Sequence, residues 1–280
     1  MVAQTELADM RAAWGTVQAR QQLLVAAGLR PACRLRINRQ ELALIAQTTD
    51  RLSIKMVVGQ QAIVAQEVTG RAGFSEWSRR AALSPSSLGD CYVYICTDHV
   101  YGQRLRRCDE AGDDVAVGSL LGYPECCVKA FGERCSTGRS DPVIVMYDDN
   151  VPIAWPMNVS LLCFGHSLLS HVPCSPGCRP SHALAERYYD FVQTTEPKGA
   201  AELRQVLSGW VLHTDLLGIG AFKAISRNGA LEIETISAVD SESILGQLLS
   251  IGSFIGRQDT GVIVDGCFLT GGQVRLFEFN

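Results

Sequence analysis

The stretch ISRNGALEIETI, residues 225–236, sets Asn228-Gly229 between two runs of alternating apolar and polar residues. Asn-Gly suits a two-residue hairpin turn, because both central positions take positive φ. The spacing predicts an antiparallel hairpin. VIVDGCFLTGGQVRLFEF (262–279) reads as a second one, turning near Gly271-Gly272. Between them, SESILGQLLSIGSFIG (241–256) reads as helix. Strands joined by tight turns rather than helical crossovers argue against a doubly wound parallel sheet. The expected class is α+β: mixed helices and a mostly antiparallel sheet, with hairpins near the C-terminus.

Working outward, residues 5–28 read as helix with a Gly stop, RLRIN (34–38) as a short strand and 39–47 as helix. Residues 54–68 suggest two short strands or one long bent one. CYVYICTD (91–98) is the clearest strand, rich in β-branched and aromatic residues. A charged helical stretch follows from 102. VIVMY (143–147) reads as another strand, and Asp148-Asp149-Asn150 after it as a turn rather than a cation site. Residues 180–195 read as helix, with Pro180 in its first turn. Basic residues outnumber acidic ones 14 to 8 over 1–108, and acidic outnumber basic 21 to 11 over 109–280. That asymmetry suggests an N-terminal α/β subdomain, 1–112, and a cysteine-rich α+β subdomain, 113–280.

The 280 residues are 47% hydrophobic and 19% charged, which excludes a disordered chain. A net charge of −4 gives no reason to expect a polyanion as main partner. Arg30, Arg34, Arg36, Arg39, Arg104, Arg106 and Arg107 read as a solvated face, since few aromatics interleave, and no nucleic-acid partner is expected. No segment looks like a secretory leader or a membrane span, so a cytoplasmic protein away from membranes is expected. P-loop, His-Glu-x-x-His and dinucleotide motifs are missing, and Gly165-His166-Ser167 lacks the last Gly of a nucleophile elbow.

The unusual number is 11 cysteines. In a reducing compartment, clustered cysteines point to metal or catalysis rather than to disulfides. Cys33, Cys91, Cys96 and Cys267 lie in or beside strand-like runs and read as packing. The reactive stretch is LCFGHSLLSHVPCSPGCRPSHAL, which holds Cys163, His166, His171, Cys174, Cys178 and His182. Thiolate and imidazole are the ligands of soft and borderline metals. Pro173, Pro176 and Gly177 keep the segment from being a plain helix, so several ligands can turn toward one ion.

A second constellation is Gly122-Tyr123-Pro124-Glu125-Cys126-Cys127. Pro124 ends one helix and restarts another, which puts Cys126 and Cys127 in an opening turn. There, free N–H groups and the positive helix end favour thiolate, and the same holds for Cys178 before Pro180. Neighbouring helical side chains point about 100° apart, which argues against Cys126 and Cys127 sharing one ion. The preferred cofactor ligands are therefore Cys127, Cys174 and Cys178, with His171 or Cys126 as the fourth metal ligand. Cys126 and His171 are the candidate catalytic residues, one a reactive thiol and the other a proton donor. The leading reading is an iron–sulfur enzyme performing reduction, dehydration or sulfur transfer on a small-molecule substrate. The alternatives are a non-enzymatic protein with structural zinc and a metal-free thiol redox protein.

GYPECCVKAF (122–131), with His171-Val172-Pro173-Cys174-Ser175-Pro176-Gly177-Cys178-Arg179-Pro180-Ser181, resembles the paired motifs of a poorly characterised prokaryotic family. The resemblance covers residues 120–181 and implies that the two motifs belong together. A looser likeness is to the cysteine-rich domains of heterodisulfide reductases, but this chain has Cys-x-x-x-Cys where those have Cys-x-x-Cys.

Overall fold

The structure is a computed structural model. It describes residues 10, 16–65, 78–82, 89–135, 153–214, 218–227, 230–239, 244–251, 254–258, 261–264, 267–269 and 274–280. The proposed strand at 143–147, the turn at 148–150 and the dipeptide Asn228-Gly229 lie outside them. The chain is α+β, with two antiparallel sheets among the described residues. It divides into two compact units, Met1–Glu67 with Glu76–Gly132, and Val68–Ser75 with Glu133–Asn280.

The first unit holds a four-stranded sheet of β1 (Ala32–Asn38), β2 (Lys55–Ala65), β3 (Ser78–Ala82) and β4 (Asp90–Cys96), in the order β1-β4-β2-β3. In β1, Cys33, Leu35 and Ile37 are buried while Arg34 and Arg36 between them are half-exposed, the period of two that a one-sided strand requires. Asp109 anchors this layer from below the solvent line. It is fully buried, pairs with Arg34 and accepts from the Tyr94 hydroxyl at 2.5 Å. Arg36 pairs with Asp90 at 2.7 Å. Of residues 54–68, Lys55–Ala65 form one long strand with an irregularity between Val58 and Ala62, and 66–68 lie outside the described residues.

Four helices belong here: α1 (Thr16–Ala26), α2 (Leu42–Arg51), α3 (His99–Glu110) and α4 (Asp114–Leu120). Leu105, Val117, Leu120 and Leu121 pack on Ala32, Val57, Tyr94 and Cys96. α3 can sit this close because position 102 is glycine; a Cβ there would lie 2.6 Å from Cys96 Sγ. Asp98 and Asp113 cap α3 and α4 by accepting from the N–H groups of Val100 and Ala116. After α4 the chain turns through residues 121–124 into α5 (Glu125–Cys135).

In the second unit, α6 (Arg179–Thr195) and α7 (Pro197–Leu207) are divided by Glu196, which leaves helical geometry just before Pro197. Trp155 packs edge-on against Tyr189 of α6 at 4.7 Å. The sheet is formed by β5 (Gly209–Thr214), β6 (Gly218–Arg227), β7 (Ala230–Val239), β8 (Phe254–Gln258), β9 (Gly261–Val264), β10 (Cys267–Leu269) and β11 (Val274–Phe279). Its order is β10-β9-β8-β7-β6-β5-β11. α8 (Ile244–Ile251) lays Leu245 and Leu249 on Leu212, Phe222 and Leu231.

β6 and β7 pair antiparallel, Arg227 opposite Ala230, as expected for the first hairpin. The last hairpin differs from expectation. Val264 pairs with Cys267, and β11 pairs with β5, Phe279 opposite Gly209, instead of with β10. The dipeptide Gly271-Gly272, where the turn was expected, lies outside the described residues. The helix expected over 241–256 ends at Ile251, and Phe254–Gln258 becomes a strand between β7 and β9.

Candidate metal centre

The first cysteine motif is shaped by its glycine and proline. Gly122 has φ +77°, and its N–H bonds to the Ser119 carbonyl while that of Tyr123 bonds to the Gly118 carbonyl. This pair of bonds is the Schellman ending of a helix, and it needs a left-handed residue at position 122. A Cβ at 122 would also meet Pro31 Cδ at 2.6 Å. The buried Arg30 supports the turn from behind, with its guanidinium 5.9 Å from the Tyr123 ring and 3.5 Å from the Leu121 carbonyl. Arg30 is therefore an interior residue and not part of a solvated basic face.

Pro124 then starts α5 without belonging to it. Its carbonyl accepts from Cys127 and Val128 at 2.9 and 3.0 Å. Cys126 and Cys127 are the second and third residues of the helix, where backbone N–H groups have no partner within the helix. Cys126 is exposed and Cys127 buried, yet their sulfurs are 3.9 Å apart. The 100° between neighbouring helical side chains applies at Cα. At Sγ, two bonds farther out, the side-chain torsions bring the sulfurs together.

The second motif is built the same way. Cys178 is the N-cap of α6, Pro180 is in its first turn, and Ser181 is buried within it. His182 N–H bonds to the Cys178 carbonyl at 3.0 Å. Cys178 Sγ lies 3.4 Å from Ser181 Oγ, and His171 Nε2 lies 2.8 Å from the same oxygen. All three side chains are buried.

The Sγ atoms of Cys126, Cys127, Cys174 and Cys178 all lie within 4.8 Å of one another, a group that could hold a metal ion. The structure thus brings together the three thiols preferred as cofactor ligands and adds Cys126 to them. His171 is not one of these four; its Nε2 lies 2.8 Å from Ser181 Oγ, beside Cys178. Cys163 is exposed and bonds to the Ser160 carbonyl at 3.6 Å, and Cys108 packs against the core of the first unit. His182 faces Glu186 at 3.4 Å on the exposed side of α6. Ser167, in the incomplete elbow motif, donates to the Leu169 carbonyl at 2.7 Å. Ser181 was the residue that sequence reasoning left without a role. Its signal was its place three residues after Cys178, at the start of a helix.

Cys33, Cys91 and Cys96 are fully buried in β1 and β4, as packing thiols should be. Burial pushes the Cys33 thiol up to about 12 and raises those of Cys91 and Cys96. The side chains of Cys135 and Cys267 lie outside the described residues. No helix among the described residues is long and apolar enough to cross a membrane.

Fold and site together define an α+β protein with a four-cysteine group, three of whose members stand at helix openings. A family model described as "Protein of unknown function (DUF483)" matches residues 103–208. That span runs from α3 to the end of α7 and contains both cysteine motifs, His171 and Ser181. Searches of curated proteins and of solved structures find no match.

Proposed function

We propose that Cys126, Cys127, Cys174 and Cys178 bind a single tetrahedral metal ion, zinc, and that this ion fixes the geometry of the two motifs. The carrying observation is the mutual approach of four sulfurs within 4.8 Å. Zinc–sulfur bonds of about 2.3 Å at tetrahedral angles put thiolates about 3.8 Å apart. The 3.9 Å between Cys126 and Cys127 suits that spacing. An iron–sulfur cube binds each thiolate to a different iron and so needs them farther apart, which is why the single-ion reading is preferred over the cluster.

Four thiolates on one divalent ion leave a net charge of −2. The N-terminal turns of α5 and α6, which carry Cys126, Cys127 and Cys178, favour that charge with their positive dipole ends. The four ligands fill a tetrahedral ion, and a closed coordination shell belongs to a structural rather than a catalytic zinc.

The test is metal analysis of protein purified without oxygen from cells given both zinc and iron. One zinc per chain, no colour, and loss of zinc in Cys174→Ser and Cys178→Ser are expected. Iron with acid-labile sulfide and a brown colour would replace this reading with an iron–sulfur enzyme. Neither metal, with two thiols lost on mild oxidation, would replace it with a thiol redox protein.

A further inference from the structure

We infer that Ser181 and His171 form a hydrogen-bonded relay that positions the Cys178 sulfur toward the metal. The inference rests on the single-ion reading above. Its observations are the 2.8 Å from His171 Nε2 to Ser181 Oγ and the 3.4 Å from that oxygen to Cys178 Sγ, all among buried side chains.

Proton counting fixes the direction. In the structure the Cys178 thiol donates to Ser181 Oγ; a metal-bound thiolate has no proton to give, so with the ion bound this bond persists only with the Ser181 hydroxyl proton on sulfur. The oxygen then has only lone pairs left for His171. A bond there requires the histidine to carry its proton on Nε2. The relay runs His171 Nε2–H to Ser181 Oγ, and Ser181 O–H to Cys178 Sγ.

Such a relay does two things. It offsets part of the negative charge on sulfur, and it holds the Cys178 side chain in one orientation. Groups behind metal ligands commonly act this way. It also gives His171 a role different from direct ligation: it is a positioning residue, three positions before Cys174, acting through a hydroxyl. The placement of Ser181 follows from the helix. As the third residue of α6 its side chain turns back toward the N-cap, which is Cys178.

The experiment measures zinc affinity by chelator competition in the full-length protein, and the His171 tautomer by ¹⁵N spectroscopy of the zinc-loaded wild type. Ser181→Ala and His171→Leu should each keep one zinc per chain but bind it at least tenfold more weakly, in the range of about 10–100-fold found for such outer partners. Ser181→Thr and His171→Gln, which keep a hydroxyl and an N–H donor, should recover most of the loss. The wild-type spectrum should show a protonated Nε2. Affinities of Ser181→Ala and His171→Leu within twofold of wild type, or a histidine protonated on Nδ1 alone, would overturn the relay and leave the zinc site standing. A wild-type protein that takes up no zinc would overturn the site, and the relay with it. The spectroscopic measurement needs no variant, so it decides the matter even if a substitution disturbs folding.

Discussion

Cys33 shows how burial alone sets the chemistry of a cysteine. Its side chain is fully enclosed in β1, and loss of solvent raises its thiol to about 12, outweighing the nearby Arg30 charge. In the unfolded chain the same thiol titrates near 9. Between those values the folded protein keeps a proton that the unfolded chain releases. Stability present below pH 9 is therefore lost as pH rises toward 12, by up to about 4 kcal/mol over the whole interval. Burial raises Cys91 and Cys96 in the same direction. Urea midpoints should fall steadily from pH 9 to 10.5, and Cys33→Ala should flatten that fall while lowering the midpoint at pH 8. An unchanged slope in the variant would mean that Cys33 is not the titrating group. The cysteines of the candidate metal centre differ from these by position and not by type, since Cys126, Cys127 and Cys178 stand at helix openings. Sequence spacing made that difference legible: Pro124 and Pro180 announce both openings.

Among elements, the turn from α4 into α5 has the least freedom. Gly122 combines positive φ with a 2.6 Å approach to Pro31. Alanine there adds left-handed strain of about 1–2 kcal/mol and must also displace Pro31. Gly122→Ala should lower the denaturation midpoint by at least that amount and weaken metal binding, because α5 would start at a different angle. A variant with wild-type zinc affinity would separate the turn from the site. The strands were less legible than the helices. β8 was hidden in a run read as helix, because a short apolar stretch such as Phe254-Ile255-Gly256 has no period long enough to tell the two apart. β11 was recognised as a strand but assigned the wrong neighbour, since a turn signal reports only local reversal and not which distant edge is open.

For the molecule as a whole, the proposed zinc site would make stability depend on metal supply. Ligands that converge only in the folded chain turn binding energy into folding energy. A strong chelator should lower the melting temperature, and zinc but not magnesium should restore it. Hydrogen exchange in the chelated protein should quicken over residues 171–181 and at the start of α5, while the β1–β4 ladder keeps its protection, because that ladder is held by its own backbone bonds and by Asp109. Equal quickening everywhere would indicate a single cooperative unit, and no quickening would argue against a structural metal.

The sequence by itself determined what short-range chemistry can determine. The α+β class, the antiparallel pairing of β6 with β7, the helix starts at Pro124 and Pro180, and the packing cysteines of β1 and β4 all follow from periodicity, turn preference and burial tendency within a few residues. Tertiary structure alone decided three things. It paired β11 with β5, it closed the distance between Cys126, Cys127, Cys174 and Cys178, and it set Ser181 between His171 and Cys178. The reason is common to them: each depends on side-chain directions and on contacts between residues far apart in the chain or across a turn. Those are fixed by burial of the whole apolar surface, and no local pattern records them.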